Sequence, residues 1–264
     1  MRKGKRSAWG LALVNLSGER YSACCSPNRT DSLTTRKLVL LNIEFDGGTE
    51  LVDKLMKMVA SRGVGLLSHI VQTLPSTKHA KAVFLLDITG LEGLLSDFMS
   101  DIRKMSEIVR AEVMDAPISP GEARLVVFTL ADLNGFFKLF RELGTGGQAM
   151  IFHLGLRAGE DLADRIMAHC KDRYATLDQS LLYMESMGYG RFKVEEYVDK
   201  KRCKIIIHES IECMGHRGTT PSSHLLRGLI SGVISKIWGK KVAVVETKCI
   251  AQGNPHCEFI VEAE

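Results

Sequence analysis

Three cysteines in the last quarter of the chain are the residues best suited to chemistry. Cys213 follows a stretch with the pattern of a strand, and Cys249 and Cys257 flank the turn of an expected hairpin. Thiolates on the two sides of a tight turn converge, and three of them form a soft tetrahedral pocket that Zn²⁺ occupies at S–metal distances of about 2.3 Å. The spacing leaves a second interpretation open, in which all three are small buried hydrophobic residues.

Signatures of other chemistry are missing from the sequence. It contains no Gly-x-Ser-x-Gly elbow, no Walker motif, no dinucleotide fingerprint and no paired histidines on a helix. The glycine-rich run 144–147 lacks the Gly-Lys-Ser/Thr ending of a phosphate loop. We therefore expect no catalytic residues.

The composition is that of a globular protein with two domains. The 264 residues include 35 Lys and Arg against 31 Asp and Glu, and 45% are hydrophobic. Residues 1–6 contain four uncompensated cations, so the remainder balances at 31 against 31, and we expect no nucleic-acid partner.

Targeting features are also lacking, and the cysteine usage fits a reducing compartment. No apolar run reaches the roughly 18–20 residues that span a bilayer, and residues 8–16 do not form a secretory signal. Seven cysteines, an odd number, argue against a disulfide framework. We predict a cytoplasmic protein without a membrane partner.

The first part of the chain predicts an α+β domain with a ferredoxin-like fold. After a lead-in segment at 1–35, which includes a possible strand at 9–16 and the pair Cys24-Cys25, the pattern is strand, helix, two strands, helix and strand. This βαββαβ order is the split unit of ferredoxin-like domains. Residues 36–115 resemble the ACT regulatory domain, because Asp46 and Leu51 match the start and end of its strand-to-helix signature. Gly47-Gly48-Thr49 replaces the middle of that signature. The resemblance implies a module that senses an amino acid or forms dimers.

A second domain is predicted over 124–264, after a proline-containing linker at 116–123. An apolar stretch at 125–128 is followed by three helices, two strands, a helix from about Ser222 to Trp238, and the final hairpin. The expected architecture has helices packed on an antiparallel sheet.

The region from about 120 to the end resembles the 4-vinyl reductase domain, which shares its fold with haem-nitric-oxide-binding domains and trafficking-complex (TRAPP) subunits. The resemblance depends on glycines in two helices and on the segments around the cysteines. These residues are Gly155, Gly159, Gly188, Cys213, Gly228, Gly232, Glu246-Thr247-Lys248-Cys249, Gly253 and Cys257-Glu258-Phe259.

This resemblance implies a zinc site with Cys213, Glu246, Cys249 and Cys257 as ligands. Residues three apart on an ideal strand face opposite sides, so a twist or bulge must bring Glu246 to the side of Cys249. The alternative fourth ligands are His208, His216, His224 and Cys203. Such a closed site is expected to be structural and not catalytic.

The same resemblance implies a pocket for a small apolar or aromatic molecule. Its candidate wall residues are Tyr189, Phe192, Trp238 and Val244, and His153 is a candidate polar contact. Gly228 and Gly232 lie four apart on one helix face, which allows either close approach of another backbone or space for a guest.

Together, these observations predict a non-catalytic, zinc-containing sensor or regulatory protein that forms a homodimer and passes its signal to a protein partner. The alternatives are a TRAPP-like assembly or trafficking adaptor, and a thiol redox switch.

Overall fold

The computed structural model describes residues 11–14, 20–23, 36–73, 79–118 and 126–264. The chain divides into two compact units, 1–124 and 125–264. Within the lead-in, β1 (Leu11–Val14) pairs antiparallel with β2 (Arg20–Ala23). The pair Cys24-Cys25 and most of the expected linker lie outside the described residues.

The first unit contains the expected βαββαβ order. Its elements are β3 (Leu38–Phe45), α1 (Thr49–Ser61), β4 (Gly65–Thr73), β5 (Ala80–Asp87), α2 (Leu95–Arg103) and β6 (Ile108–Asp115). The strands form one antiparallel sheet in the order β4-β5-β3-β6. Numbered within the unit, this order is 2-3-1-4, the arrangement of ferredoxin-like sheets. The observed strand order is consistent with the ferredoxin-like fold expected for this unit.

Alternate residues of the central strands build the core of the first unit. Val39, Leu41 and Ile43 on β3 are 0–1% exposed, as are Phe84 and Leu86 on β5. Because successive side chains of a strand point to opposite faces, these residues share the face on which α1 and α2 pack.

The second unit is an α+β domain with a four-stranded antiparallel sheet, which confirms the predicted fold class. Its elements are α3 (Leu130–Glu142), α4 (Gly144–Met167), α5 (Arg173–Ser186), β7 (Arg191–Val198), β8 (Arg202–His208), α6 (His224–Trp238), β9 (Val242–Lys248) and β10 (Cys257–Ala263). The strand order is β7-β8-β10-β9.

Local sequence signals explain where the helices of the second unit begin and end. Thr129 and Asp132 form a reciprocal capping box at the start of α3, and Asp172 caps α5 by accepting a hydrogen bond from the Ala175 amide. Gly239 ends α6 with φ of 69°, a left-handed conformation that glycine adopts without strain.

The stretch 126–128 lies exposed before α3, and the glycine run 144–147 forms the first turn of α4. A Cβ at Gly147 would lie 2.0 Å from the Phe140 carbonyl oxygen, so the glycine permits α3 and α4 to meet closely. In the described ranges, no helix combines the length and apolar character needed to cross a membrane.

Candidate metal centre

The sheet of the second unit brings three distant segments of the chain together. Cys213 lies in the loop after β8, Cys249 directly follows β9, and Cys257 is the first residue of β10. Strand β10 pairs antiparallel with β8 on one side and with β9 on the other. The start of β10 therefore lies beside the ends of β8 and β9, at one end of the sheet. The predicted convergence of the three cysteines is therefore present in the fold.

A β-bulge orients Glu246 toward the cysteines. Lys248 pairs with Glu258 and Glu246 pairs with Phe259, so two steps along β9 match one step along β10. Thr247 is the extra residue, and its side chain is exposed while Glu246 is 8% exposed. The bulge compensates the odd spacing between Glu246 and Cys249, which on a regular strand would place the two side chains on opposite faces.

The four side chains form a compact buried group. The ligand atoms of Cys213, Glu246, Cys249 and Cys257 all lie within 4.8 Å of one another, and the cysteines are 0–1% exposed. The Cys213 Sγ lies 3.5 Å from the Cys249 Sγ and 3.7 Å from the Cys257 Sγ. A tetrahedral ion with S–metal bonds of about 2.3 Å has S···S edges of about 3.8 Å. The donor set and its spacing thus fit a tetrahedral metal ion.

The cluster stabilises a thiolate at Cys213. Hydrogen bonds from the Cys249 and Cys257 thiols outweigh burial and lower the pKa of Cys213. The same contacts raise the pKa of Cys257, because its proton is shared with that thiolate. Binding a metal ion must displace the protons that the thiols carry, because the thiolate is the form that binds metal.

Ser223 connects the cluster to helix α6. It is the N-cap residue of α6 and is 1% exposed. Its amide donates to Glu246 Oε2 at 3.1 Å, and its hydroxyl donates to Glu246 Oε1 at 2.7 Å. The carboxylate of Glu246 is thereby held in place by the beginning of the helix.

Glu212 provides a second link between the metal-site loop and α6. Its two carboxylate oxygens accept the amides of Leu225 and Leu226 at 2.9 and 2.8 Å. The side chain is 2% exposed, and burial raises the pKa of Glu212 to about 8. Glu212 was not predicted from the sequence, because the capping contact joins residues more than ten apart through a loop. Ser223 was not predicted either, although serine before an apolar helix is an N-cap signal.

We expect the buried Glu246 to make the stability of the metal-free protein depend on pH. Burial raises the pKa of this carboxyl from 4.5 to about 7. Between these values the unfolded chain releases the proton and the folded protein retains it, so the free energy of unfolding falls as pH rises, by up to about 1.4 kcal/mol per pH unit. Glu246→Gln should reduce this fall, which urea unfolding in chelator at several pH values measures.

The exposed Glu264→Gln variant is the control and should follow the wild type at every pH. Equal pH dependence of the wild type and Glu246→Gln would contradict the prediction. With zinc present, Glu246→Gln should be less stable than the wild type, because the variant lacks the carboxylate that binds the metal ion.

The alternative fourth ligands lie outside the group of four. Among the described residues, the one group suited to hold a metal ion contains Glu246 and none of these alternatives. His208 instead packs against His256, with ring centroids 5.5 Å apart. Cys203 is fully buried on β8, and burial raises the pKa of its thiol to about 12.

Helices α4 and α6 pack backbone against backbone. A Cβ at Gly155 or Gly159 on α4 would lie 2.2–2.3 Å from a carbonyl oxygen of α6. A Cβ at Gly228 or Gly232 on α6 would lie 2.1–2.2 Å from a carbonyl oxygen of α4. Of the two roles considered for Gly228 and Gly232, the structure shows close helix packing.

The predicted ligand-binding residues differ in how far they are buried. Trp238 is 2% exposed at the end of α6 and donates its indole N–H to the Tyr197 hydroxyl at 3.2 Å. Tyr189, Phe192 and Val244 are half-buried, and burial raises the pKa of Tyr189. His153 is exposed on α4, on the side away from the buried glycines, so it does not line the interior of this unit.

Comparison with known proteins places these features in a family. The family model of the 4-vinyl reductase domain matches residues 203–263, which include all four residues of the cluster. The uncharacterized protein MJ0150 of Methanocaldococcus jannaschii is 31% identical over 123 residues, covering 46% of this chain and 68% of that protein.

Two solved structures are also similar. The phenol-responsive sensory domain of the transcription activator PoxR, with phenol, has a TM-score of 0.49 at 18% identity, covering 54% of this chain and 78% of that one. A vinyl-4-reductase family protein from Methanocaldococcus jannaschii has a TM-score of 0.41 at 15% identity, covering 66% and 97%.

Proposed function

This chain belongs to the 4-vinyl reductase domain family, and from that premise we propose that it is a non-catalytic sensor whose second unit contains one structural zinc ion and binds a small apolar or aromatic molecule. The buried Cys213, Glu246, Cys249 and Cys257 group is the observation that carries the proposal. We assign residues 36–115 to an ACT-like regulatory unit and residues 124–264 to the zinc and ligand-binding unit. The segments 1–35 and 116–123 are the lead-in and the linker.

The choice of zinc rests on the donor chemistry. Three thiolates and one carboxylate match the ligand types and coordination number that Zn²⁺ takes in structural sites. Thiolates exclude the hard ions Mg²⁺ and Ca²⁺, which prefer oxygen ligands. A set of four protein ligands leaves no open position for water or substrate, so the role we assign to the ion is to join the β8 loop to the hairpin of β9 and β10.

The position of the zinc site suggests how a bound molecule would be sensed. Glu246 and Glu212 both hold the beginning of α6, and Trp238 lies at its other end. A guest that contacts Trp238 would therefore act on a helix whose opposite end is fixed by the metal centre. Phe192 and Tyr189 lie at the metal end of the sheet, since Phe192 pairs with Ile207 next to Cys257 and the Tyr189 carbonyl accepts the Ile211 amide. The downstream signal would pass to a protein partner through the ACT-like unit.

Thermal-shift measurements on the zinc-loaded protein test the sensor proposal. The probes are phenols, a tetrapyrrole, fatty acids and amino acids. A ligand at 100 times its Kd adds about 2.7 kcal/mol to the stability, or roughly 8 °C in Tm. We expect such a shift with an aromatic or other apolar probe, and we expect Phe192→Trp to reduce it by filling the pocket.

The exposed His153→Ala variant is the control and should respond like the wild type. If no probe shifts the Tm of protein that carries one zinc ion per chain, the sensor proposal is wrong while the zinc proposal stands. A shift with amino acids alone, unchanged in Phe192→Trp, would assign ligand binding to the ACT-like unit and contradict the site in the second unit.

A further inference from the structure

Ser223 occupies the N-cap position of α6, but its side chain does not cap the helix. An N-cap serine ordinarily accepts a hydrogen bond from the amide of the second or third helical residue. The Ser223 side chain makes no such bond. The two amides in question belong to Leu225 and Leu226, and both donate to the Glu212 carboxylate, at 2.9 and 2.8 Å. The Ser223 hydroxyl is therefore available for other contacts.

The hydroxyl of Ser223 points into the metal cluster instead. It lies 2.7 Å from Glu246 Oε1, 3.2 Å from Cys213 Sγ and 3.6 Å from Cys257 Sγ. One oxygen atom is thus within hydrogen-bonding distance of three of the four residues suited to hold the metal ion. Because Ser223 is 1% exposed, this oxygen is shielded from bulk water.

A loaded cluster would need hydrogen-bond donors around it. Three thiolates and one carboxylate carry four negative charges, so a Zn²⁺ ion would leave two of them uncompensated. All four ligands are then acceptors only, and a buried negative charge is costly unless donors surround it. The described residues provide such donors in the amides of Ser223 and Ile250 and in the hydroxyls of Ser222 and Ser223. Among these contacts, the one from the Ser223 hydroxyl to Glu246 is the shortest.

We propose that Ser223 is a positioning residue of the metal centre, whose hydroxyl orients the Glu246 carboxylate for the metal ion and donates to the negative charge of the loaded site. This role presupposes the zinc ion proposed above and assigns a function at that site to a residue that is not itself a ligand. The Ser223 amide holds one carboxylate oxygen and the hydroxyl holds the other, so Glu246 is already ordered before the ion binds.

The hydrogen bonds of Ser223 contribute more to the loaded site than to the metal-free one. Metal binding displaces protons from the ligands, and hydrogen bonds to ionised acceptors are about twice as strong as bonds between neutral groups. Removing the hydroxyl therefore weakens the loaded state more than the metal-free state, which lowers the zinc affinity. Groups that orient metal ligands in this way typically change the affinity by about 10–100-fold when they are removed.

The zinc affinity of the full-length chain, measured by competition with a chromophoric chelator, tests this proposal. The zinc content of the wild type is measured first and should be one ion per chain. Ser223→Ala should then bind zinc about 10–100-fold more weakly. Ser223→Thr keeps the hydroxyl and should remain close to the wild type. Circular dichroism of each metal-free variant verifies that it is folded.

Cobalt(II) provides a second readout, which a purely structural role of Ser223 would not change. The sulfur-to-metal charge-transfer absorption of a cobalt thiolate site reports the electron density on sulfur, and hydrogen bonds to the sulfur tune that density. Loss of the hydroxyl beside Cys213 Sγ makes this sulfur a stronger donor. The band should therefore move to longer wavelength in Ser223→Ala and return toward the wild-type position in Ser223→Thr.

Ser180→Ala is the matched control. Ser180 is 0% exposed and its hydroxyl donates to the Thr176 carbonyl at 2.7 Å within α5, so this change deletes a buried hydroxyl without touching the cluster. The variant should bind zinc like the wild type. Wild-type zinc affinity in Ser223→Ala, or equal losses in Ser223→Ala and Ser223→Thr, would overturn the role of Ser223 and leave the metal site in place. A wild type that binds no zinc would overturn both.

Discussion

Replacing any one of Cys213, Cys249 or Cys257 with alanine should abolish metal binding and strongly destabilise the second unit. Structural zinc contributes an apparent binding free energy of about 10–16 kcal/mol in small zinc domains, and part of it is lost as stability when the ion leaves. Here the sheet and helices provide a core of their own, so we expect a loss on the order of 5 kcal/mol, or roughly 15 °C in Tm. Elemental analysis of purified protein and thermal unfolding measure the two effects.

Two further buried cysteines provide the controls for this experiment. Cys170 and Cys203 are 0–1% exposed and lie outside the cluster, so Cys170→Ala and Cys203→Ala should keep one zinc ion per chain. Their stability losses should be smaller and insensitive to chelator. A wild type that contains no metal, or equal behaviour of all five alanine variants, would contradict the metal-site assignment and support the alternative in which the cysteines are packing residues.

Gly228→Ala should destabilise the second unit by about 3 kcal/mol or more, since overpacking a close contact typically costs about 1–3 kcal/mol and this contact involves backbone on both sides. The new Cβ would lie 2.1 Å from the Phe152 carbonyl oxygen, so α4 and α6 must separate. Gly159→Ala on the opposite helix should act similarly, with its Cβ 2.3 Å from the Leu229 carbonyl oxygen. Urea unfolding of the zinc-loaded variants measures these losses.

Gly135 on α3 provides the opposite case within the same unit. No atom lies within 4 Å of the position its Cβ would take, so Gly135→Ala should stabilise the protein by up to about 1 kcal/mol through helix propensity. If Gly228→Ala and Gly135→Ala changed the stability in the same direction, the close contact between the helices would be in error.

The sequence was sufficient to predict the fold class and the meeting of the cysteines. Alternation of strand and helix patterns predicts the βαββαβ order, and a hairpin between Cys249 and Cys257 brings residues on its two sides together whatever the details of packing. The bulge at Thr247 was required by spacing, because a ligand three residues before Cys249 cannot share its side of a regular strand. These inferences depend on local geometry, which the order of residues determines.

Features that depend on which surfaces meet were not predictable in the same way. The sequence was compatible with either close helix packing or a cavity at Gly228 and Gly232. The position of α4 against these two glycines shows that they serve close packing. The exposure of His153 depends on the rotation of α4, which is set by that same contact. The link from Glu212 to α6 required the path of the loop after β8, which carries no periodic signal.

The glycine contacts between α4 and α6 restrict how this domain can deform. Where two helices touch through their main chains, no layer of side chains exists to change rotamers, and sliding or rotation of one helix forces carbonyl groups into collision. Helices α4 and α6 should therefore move together as one rigid body. A structural response to a bound guest would then be a tilt of this helix pair or a shift of the sheet and α5 relative to it. Conformational differences between free and bound protein are expected in those elements.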